Sequence, residues 1–312
     1  MTLGAVFPGQ GAQRVGMLSE LANANRSVEE RFRAASDVLG FDMWSLVQGG
    51  PAEDLSATQN TQPVLLTASV AIWEVWQAQG GSADYVAGHS LGEYSALTCA
   101  GVLDFSDAVS LVRLRGELME KAVPRGNGAM AAIMGLDDDA VSALCADVDG
   151  VVVAANFNAP GQVVIAGEAR AVETAADALK AAGAKRAVML DVSGPFHSPL
   201  MEAAKEEFAQ ALQAVNMRAP QIPVIQNVTA DVPVDLEQLK SNLLEQIAAP
   251  VLWSQCVEKM MDLGVDRFVE CGPGNVLAGL NRRIAKGVPT QGLETAEGIA
   301  AGLVLASEAA ST

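Results

Sequence analysis

The chain has 312 residues, half of them hydrophobic and 18% charged, enough for one large or two modest domains around a sizeable core and too apolar for a disordered protein. Acidic residues number 37 against 20 basic, a formal net charge of -17, which disfavours a general nucleic-acid binder. Cys99, Cys145, Cys256 and Cys271 form no CxxC pair, so neither a disulfide framework nor a zinc site is expected, and free thiols fit a reducing cytoplasm.

From the start, MTLGAVFPGQGAQ lacks the basic flank of a signal peptide, and no apolar run approaches the roughly 18–20 residues of a membrane span. A soluble cytoplasmic protein is the expectation. Leu3–Phe7 reads as a buried strand ended by Pro8 and Gly9. Gln62-Pro63 places a proline where a helix over VLLTASVAIWEVW begins. Tyr85–Ala87 is a second short strand, and strand, turn and helix alternate again near Ile222–Ile225, Arg267–Cys271 and Val288. That alternation predicts a mostly parallel sheet with helices on both faces.

Between Val123 and Val192 the rhythm changes. Strands are expected at Ala129–Met134, Val151–Ala155, Gln162–Ala166 and Lys185–Leu190, with a turn at Asn158–Gly161 and helices at Asp137–Asp147 and Ala169–Ala182. The order β-α-β-β-α-β is that of a split βαβ, ferredoxin-like unit. The expected fold is therefore α/β: a large α/β-hydrolase-like domain over 1–122 and 193–312, with a small ferredoxin-like domain inserted over 123–192. The small-residue tail ending SEAAST is expected to fray.

Gly88-His89-Ser90-Leu91-Gly92 stands between the strand at Tyr85–Ala87 and a helix predicted from Leu91 to about Ala100. This is the setting of a GxSxG nucleophile elbow, whose tight turn lifts the serine hydroxyl above the sheet edge. A serine nucleophile needs a base, and the chain has two histidines. His89 adjoins Ser90 at a strand end, where neighbouring side chains diverge. His197 lies in Ser193-Gly194-Pro195-Phe196-His197-Ser198-Pro199, on a loop before a helix with Ser198 as N-cap and Pro199 as first residue, and is the favoured base.

Gly9-Gln10-Gly11-Ala12-Gln13 follows the first strand but is no dinucleotide fingerprint, because Arg14 stands at the third glycine's place; Leu277 disqualifies Gly272-Pro273-Gly274 in the same way. The turn is either purely structural or presents the Gln10 N–H as an oxyanion donor beside that of Leu91. Arg115 shares the helical stripe Ala108, Val112, Met119, an apolar face, whereas Arg113 lies with Glu117 and Glu120 on the polar side. A guanidinium there requires an anionic partner, either a protein carboxylate or a substrate carboxylate.

Phe7–Gln13, GHSLGEYSAL (Gly88–Leu97), Arg115-Gly116, NFNAPGQVVIAG (Asn156–Gly167) and Gly194-Pro195-Phe196-His197 occur in the order and at the spacing that resemble the malonyl-CoA:acyl carrier protein transacylase family. The resemblance covers nearly the whole chain. It implies malonyl transfer from malonyl-CoA to the pantetheine thiol of acyl carrier protein in fatty acid biosynthesis, through a malonyl-Ser90 intermediate with His197 as base. It also implies Gln10 and Leu91 as backbone oxyanion donors, Arg115 as the carboxylate clamp and no cofactor. In relatives an N/A-P-V-x-W segment supplies a backbone carbonyl that orients the histidine. Here this is Ala249-Pro250-Val251-Leu252-Trp253, which points to the Leu252 carbonyl. Asn156 and Phe196 are expected at the substrate pocket, with Phe196 crowding the carbon between the malonyl carbonyls and so favouring malonyl over methylmalonyl.

An anionic carrier protein and CoA would be repelled by the net charge unless a local basic patch steers them. Lys185-Arg186, and Arg282, Arg283 and Lys286, with Arg282 and Lys286 at i,i+4 on one helix, are either such a patch or ordinary solvated ends. Two other functions use the same residues: a serine hydrolase, which would lose its acyl group to water, and a non-catalytic acyl-CoA-binding protein. No residue pattern supports a metal or redox cofactor.

Overall fold

The computed structural model describes residues 1–307, so most of the tail expected to fray lies outside the described residues. Nine strands are described: β1 (Thr2–Phe7), β2 (Tyr85–Gly88), β3 (Gly128–Met134), β4 (Val152–Ala159), β5 (Gln162–Glu168), β6 (Arg186–Met189), β7 (Val224–Ile225), β8 (Val265–Glu270) and β9 (Thr290–Gly292). They form a parallel sheet in the order β7-β2-β1-β8-β9 and a separate antiparallel sheet in the order β4-β5-β3-β6.

Strand alternation sends Leu3, Ala5 and Phe7 of β1 into one apolar cluster with Trp73 and Trp76, and Val6 into another with Trp253 and Phe268. Helices therefore cover both faces of the parallel sheet, which is why Leu3–Phe7 of β1 and Val86-Ala87 of β2 read as apolar runs. The antiparallel sheet has its own core: Ile133, Val163 and Ile165 pack beneath Val172 and Leu179 of the Ala169–Ala181 helix. No described helix is long and apolar enough to cross a membrane.

Several boundaries differ from expectation. The helix containing Pro63 begins at Thr58, so Pro63 is internal rather than initial. A proline there leaves the carbonyl four residues back without its N–H. That carbonyl, on Gln59, instead accepts from Arg113 Nη1 at 3.3 Å. β4 runs on through Asn158 to Ala159, leaving Pro160-Gly161 as the turn, with Gly161 at φ 68°. The extension is held by a contact outside the sheet, since Phe157 N donates to Val251 O at 2.9 Å. Val288 precedes β9 because its N–H closes the preceding helix end on Ala285 O. That helix, Val276–Ile284, stops before Lys286, so Arg282 and Lys286 do not share a helical face.

Candidate active site

The parallel strands β1 and β2 end side by side, and both chains turn sharply there. His89 N donates to Phe7 O at 2.9 Å, locking the two turns together. A Cβ on Gly92 would lie 2.0 Å from Phe7 O, one on Gly88 1.9 Å from the Gly92 backbone, and one on Gly9 2.6 Å from His89 O. Only glycine permits such approaches. Ser90 itself sits at φ 54°, ψ -109°, a conformation strained for any residue with a side chain. Asn227, just past β7, braces it: Asn227 Nδ2 donates to Gly88 O and Ser90 N donates to Asn227 Oδ1, each at 2.7 Å.

The turn places Ser90 Oγ 2.6 Å from His197 Nε2. His197, also at positive φ (59°), is buried, and its Nδ1–H donates to the Gln246 carbonyl at 2.8 Å. That bond leaves the Nε2 lone pair facing the hydroxyl. Burial, then the nearby Arg115 charge, push the imidazole from 6.5 down to about 3, so it is neutral near pH 7.

The orienting carbonyl is thus that of Gln246 and not Leu252. Leu252 caps the Trp253–Asp262 helix, and its carbonyl accepts from Cys256 N at 2.9 Å, so it is committed elsewhere. Ser198 does occupy the N-cap position before Pro199, but its hydroxyl donates backwards to Pro195 O at 2.6 Å, folding the loop that carries His197.

Arg115 is 1% exposed, and among the described residues no carboxylate lies within ion-pairing distance. It donates to Gln62 Oε1 and Gln246 Oε1, each at 2.9 Å, and to Ser90 Oγ at 3.2 Å, and its guanidinium stands 5.4 Å from the Tyr94 ring centre. Gly116 makes this possible, since a Cβ there would meet the Thr58–Gln59 backbone at 2.8 Å and hold the two helices apart.

A cavity of about 190 Å³ opens over Ser90 and His197, with Gln10, Asn156, Phe196 and Leu190 among its walls. The Gln10 and Leu91 backbone N–H groups make no hydrogen bond to any described residue. His89 turns away, as its Nε2 pairs with Asn158 Oδ1 at 2.7 Å and its ring lies 5.6 Å from that of Trp253. Among the described residues no group of His, Cys, Asp and Glu could hold a metal ion.

Five buried polar residues around the site escaped sequence reading: Gln62, Glu93, Gln226, Asn227 and Gln246. Gln246 Nε2 donates to Ser90 O and to Glu93 Oε2, each at 2.9 Å, while Gln226 Nε2 donates to Glu93 Oε1 at 3.1 Å. A signal for Gln246 existed. It follows Leu239 and Leu243 at helical spacing, the same test that singled out Arg115. Lys185, Arg186, Arg282, Arg283 and Lys286 are all exposed, and Arg283 bonds Gln162 Oε1 at 2.7 Å and Pro160 O at 3.0 Å, tying its helix to the β4–β5 turn.

The acyl transferase domain family matches residues 5–298. Malonyl CoA-acyl carrier protein transacylase of Escherichia coli (strain K12) is 51% identical over 303 residues, 96% of this chain and 98% of its own. The Bacillus subtilis (strain 168) protein of the same name is 45% identical over 288 residues, 91% of each chain. Among solved structures, an acyl carrier protein S-malonyltransferase from Vibrio cholerae superposes with a TM-score of 0.94 at 52% identity, over 96% of this chain and 99% of its own. A type II PKS acyl-carrier protein in complex with its malonyl-transacylase contains a chain that matches at TM-score 0.96 and 49% identity, over 98% of this chain and 100% of that one. The chain belongs to the acyl transferase domain family and, within it, to the malonyl CoA-acyl carrier protein transacylases.

Proposed function

We infer that this chain is an acyltransferase that moves a malonyl group from malonyl-CoA to the pantetheine thiol of an acyl carrier protein, the loading step of fatty acid biosynthesis. The observation that carries the chemistry is the 2.6 Å contact between Ser90 Oγ and a neutral imidazole whose other nitrogen is pinned. His197 Nε2 takes the hydroxyl proton as Oγ attacks the thioester carbonyl. The unpaired N–H groups of Gln10 and Leu91 receive the oxyanion. As the tetrahedral centre collapses, the carbon–sulfur bond breaks and His197 returns the proton to the CoA sulfur, leaving malonyl-Ser90. The carrier thiol then gives its proton to His197, attacks the ester and regenerates the serine. No cofactor is needed, since the CoA thioester is itself a substrate.

Arg115 grips the free carboxylate of the malonyl group, two of its N–H donors already converging on the Ser90 side of the site. Asn156 and Phe196 wall the acyl group. We read 1–122 and 193–312 as an α/β-hydrolase-like catalytic domain and 123–192 as an inserted ferredoxin-like domain; the sheet order β4-β5-β3-β6 and the alternation of strands and helices support this. The four free cysteines fit a cytoplasmic location.

The reading extends to carrier docking at the antiparallel sheet's edge. Exposed Lys185 and Arg186 lead into Val188, Met189, Leu190 and Val192, all exposed apolar residues, and the last two reach the cavity wall. Arg282, Arg283 and Lys286 form a second basic group beside the β4–β5 turn, with Arg283 already engaged there.

Intact mass after mixing with malonyl-CoA tests the central reading. A malonyl adduct should form, persist in buffer, discharge to a pantetheine thiol, and be absent in Ser90→Ala. An adduct lost to water at the same rate with or without thiol marks a hydrolase, and no adduct marks a binding protein. Arg115→Ala should reduce malonyl kcat/KM by about 100-fold or more while the protein stays folded, as expected when one side of a buried charge-assisted contact is removed; wild-type transfer by this variant removes the clamp.

At saturating malonyl-CoA the rate of adduct formation should stay nearly flat from pH 7 to 5. An imidazole titrating at 6.5 would be only about 3% in its base form at pH 5, whereas depression to about 3 keeps His197 neutral there. The sign for stability is opposite. The unfolded chain protonates this histidine first, so its contribution to stability falls as pH drops from 6.5 towards 3. Lys185→Glu with Arg186→Glu should slow transfer to carrier protein about threefold to tenfold at low salt and less at high salt; unchanged carrier kinetics at both salts place docking elsewhere.

A further inference from the structure

Arg115 is a buried cation whose direct hydrogen-bond partners are all neutral: the amide oxygens of Gln62 and Gln246 and the Ser90 hydroxyl. Its Nε is buried with no partner at all. Such a charge is costly to keep in the interior unless an opposite charge stands nearby.

That charge lies one amide away. Glu93 is fully buried and accepts from Gln246 Nε2 at 2.9 Å, Asn227 N at 3.0 Å and Gln226 Nε2 at 3.1 Å. Three donors aimed at one carboxyl favour its ionised form. The Gln246 amide is oriented between the two charges, with its N–H on Glu93 and its oxygen on Arg115 at 2.9 Å. Burial drives both groups toward neutrality, Glu93 up to about 7 and Arg115 downward, and each counters that drive in the other.

We propose that Glu93 is a positioning residue for substrate selection: it is the counter-ion of Arg115, held at one remove through Gln246, so that the guanidinium stays charged and oriented while no protein carboxylate covers the face meant for the acyl group's terminal carboxylate. The proposal rests on the reading of Arg115 as the carboxylate clamp. A carboxylate in direct contact would balance the cation equally well but would hold the same N–H donors against the substrate. The relay separates the two tasks. Through space Glu93 offsets the buried charge, and through Gln246 it fixes the direction of the fork without occupying it.

Glu93 also holds Asn227, so a merely structural role would slow every acyl donor alike. The distinguishing readout is therefore the ratio of acyl-serine formation from malonyl-CoA to that from acetyl-CoA, which lacks the second carboxylate. Single-turnover rates by intact mass, with melting temperatures alongside, should show this ratio falling about tenfold or more in Glu93→Gln, chiefly through weaker malonyl-CoA saturation. Gln246→Met keeps the backbone carbonyl that His197 needs but breaks the relay, so it should lower the ratio similarly. The double variant should fall by less than the product of the single effects. Equal slowing of both thioesters in Glu93→Gln, or an unchanged ratio, overturns the proposal while leaving Arg115 in place. Should Glu93→Gln fail to fold, an unchanged ratio in Gln246→Met overturns it alone. Arg115→Ala is the separate control, because a ratio that survives this substitution removes the clamp itself and the counter-ion with it.

Discussion

Ser90 is held at φ 54° by contacts on every side of its peptide, and the geometry of the site follows from that constraint. Such a conformation persists only where the surroundings overdetermine it. Here its N–H is bound by Asn227 Oδ1, its carbonyl by Gln246 Nε2, and the preceding turn by Phe7 O of the neighbouring strand. The glycines at 9, 88 and 92 let these backbones close to distances no side chain allows. Relaxing the turn would rotate Oγ away from His197 Nε2 and Arg115 together, so the three side chains share one geometric origin.

The same residues link chemistry to recognition. Gln246 orients His197 with its backbone carbonyl, Ser90 and Glu93 with its side-chain nitrogen, and Arg115 with its side-chain oxygen. A single residue thereby ties the tautomer of His197 to the direction of Arg115. Networks of this kind are valuable only when every member is satisfied, because a low dielectric magnifies both a good contact and a missing one. The unpartnered Nε of Arg115 is then a notable exception, and it lies in the residue assigned to receive an outside anion.

Much of the fold was legible because both sheets obey simple patterns. Buried parallel strands read as short apolar runs such as Val86-Ala87, and the elbow sequence carries its own strand and helix flanks. Ser90, His197 and Arg115 stood out by glycines flanking a serine between strand and helix, by scarcity and by charge on an apolar face. What stayed hidden depends on contacts distant in sequence. Pro63 is tolerated inside a helix because Arg113, fifty residues on, takes the orphaned Gln59 carbonyl. Leu252 fits a motif, yet which carbonyl meets His197 is settled by how the chain leaves the Leu236–Glu245 helix, and that brings Gln246 into place. Asn227 and Glu93 matter only once the ends of β2 and β7 lie side by side.

The antiparallel sheet is more than a cover. Ser90 comes from the turn after β2, Arg115 from the Phe105–Lys121 helix and His197 from the loop that follows β6, whereas Met130, Asn156, Val164 and Leu190 bring the antiparallel sheet to the cavity wall. The antiparallel sheet pairs with the segment that follows the Leu236–Glu245 helix, with Phe157 N on Val251 O and Val251 N on Ala155 O, each at 2.9 Å. Val251 lies a few residues beyond Gln246, whose carbonyl holds the imidazole. Arg283 adds a second tether at the far end of the same hairpin. Movement of the antiparallel sheet would therefore pull on the segment that follows Gln246 as well as on the cavity wall, so the shape of the cavity and the alignment of His197 with Ser90 depend on one connection.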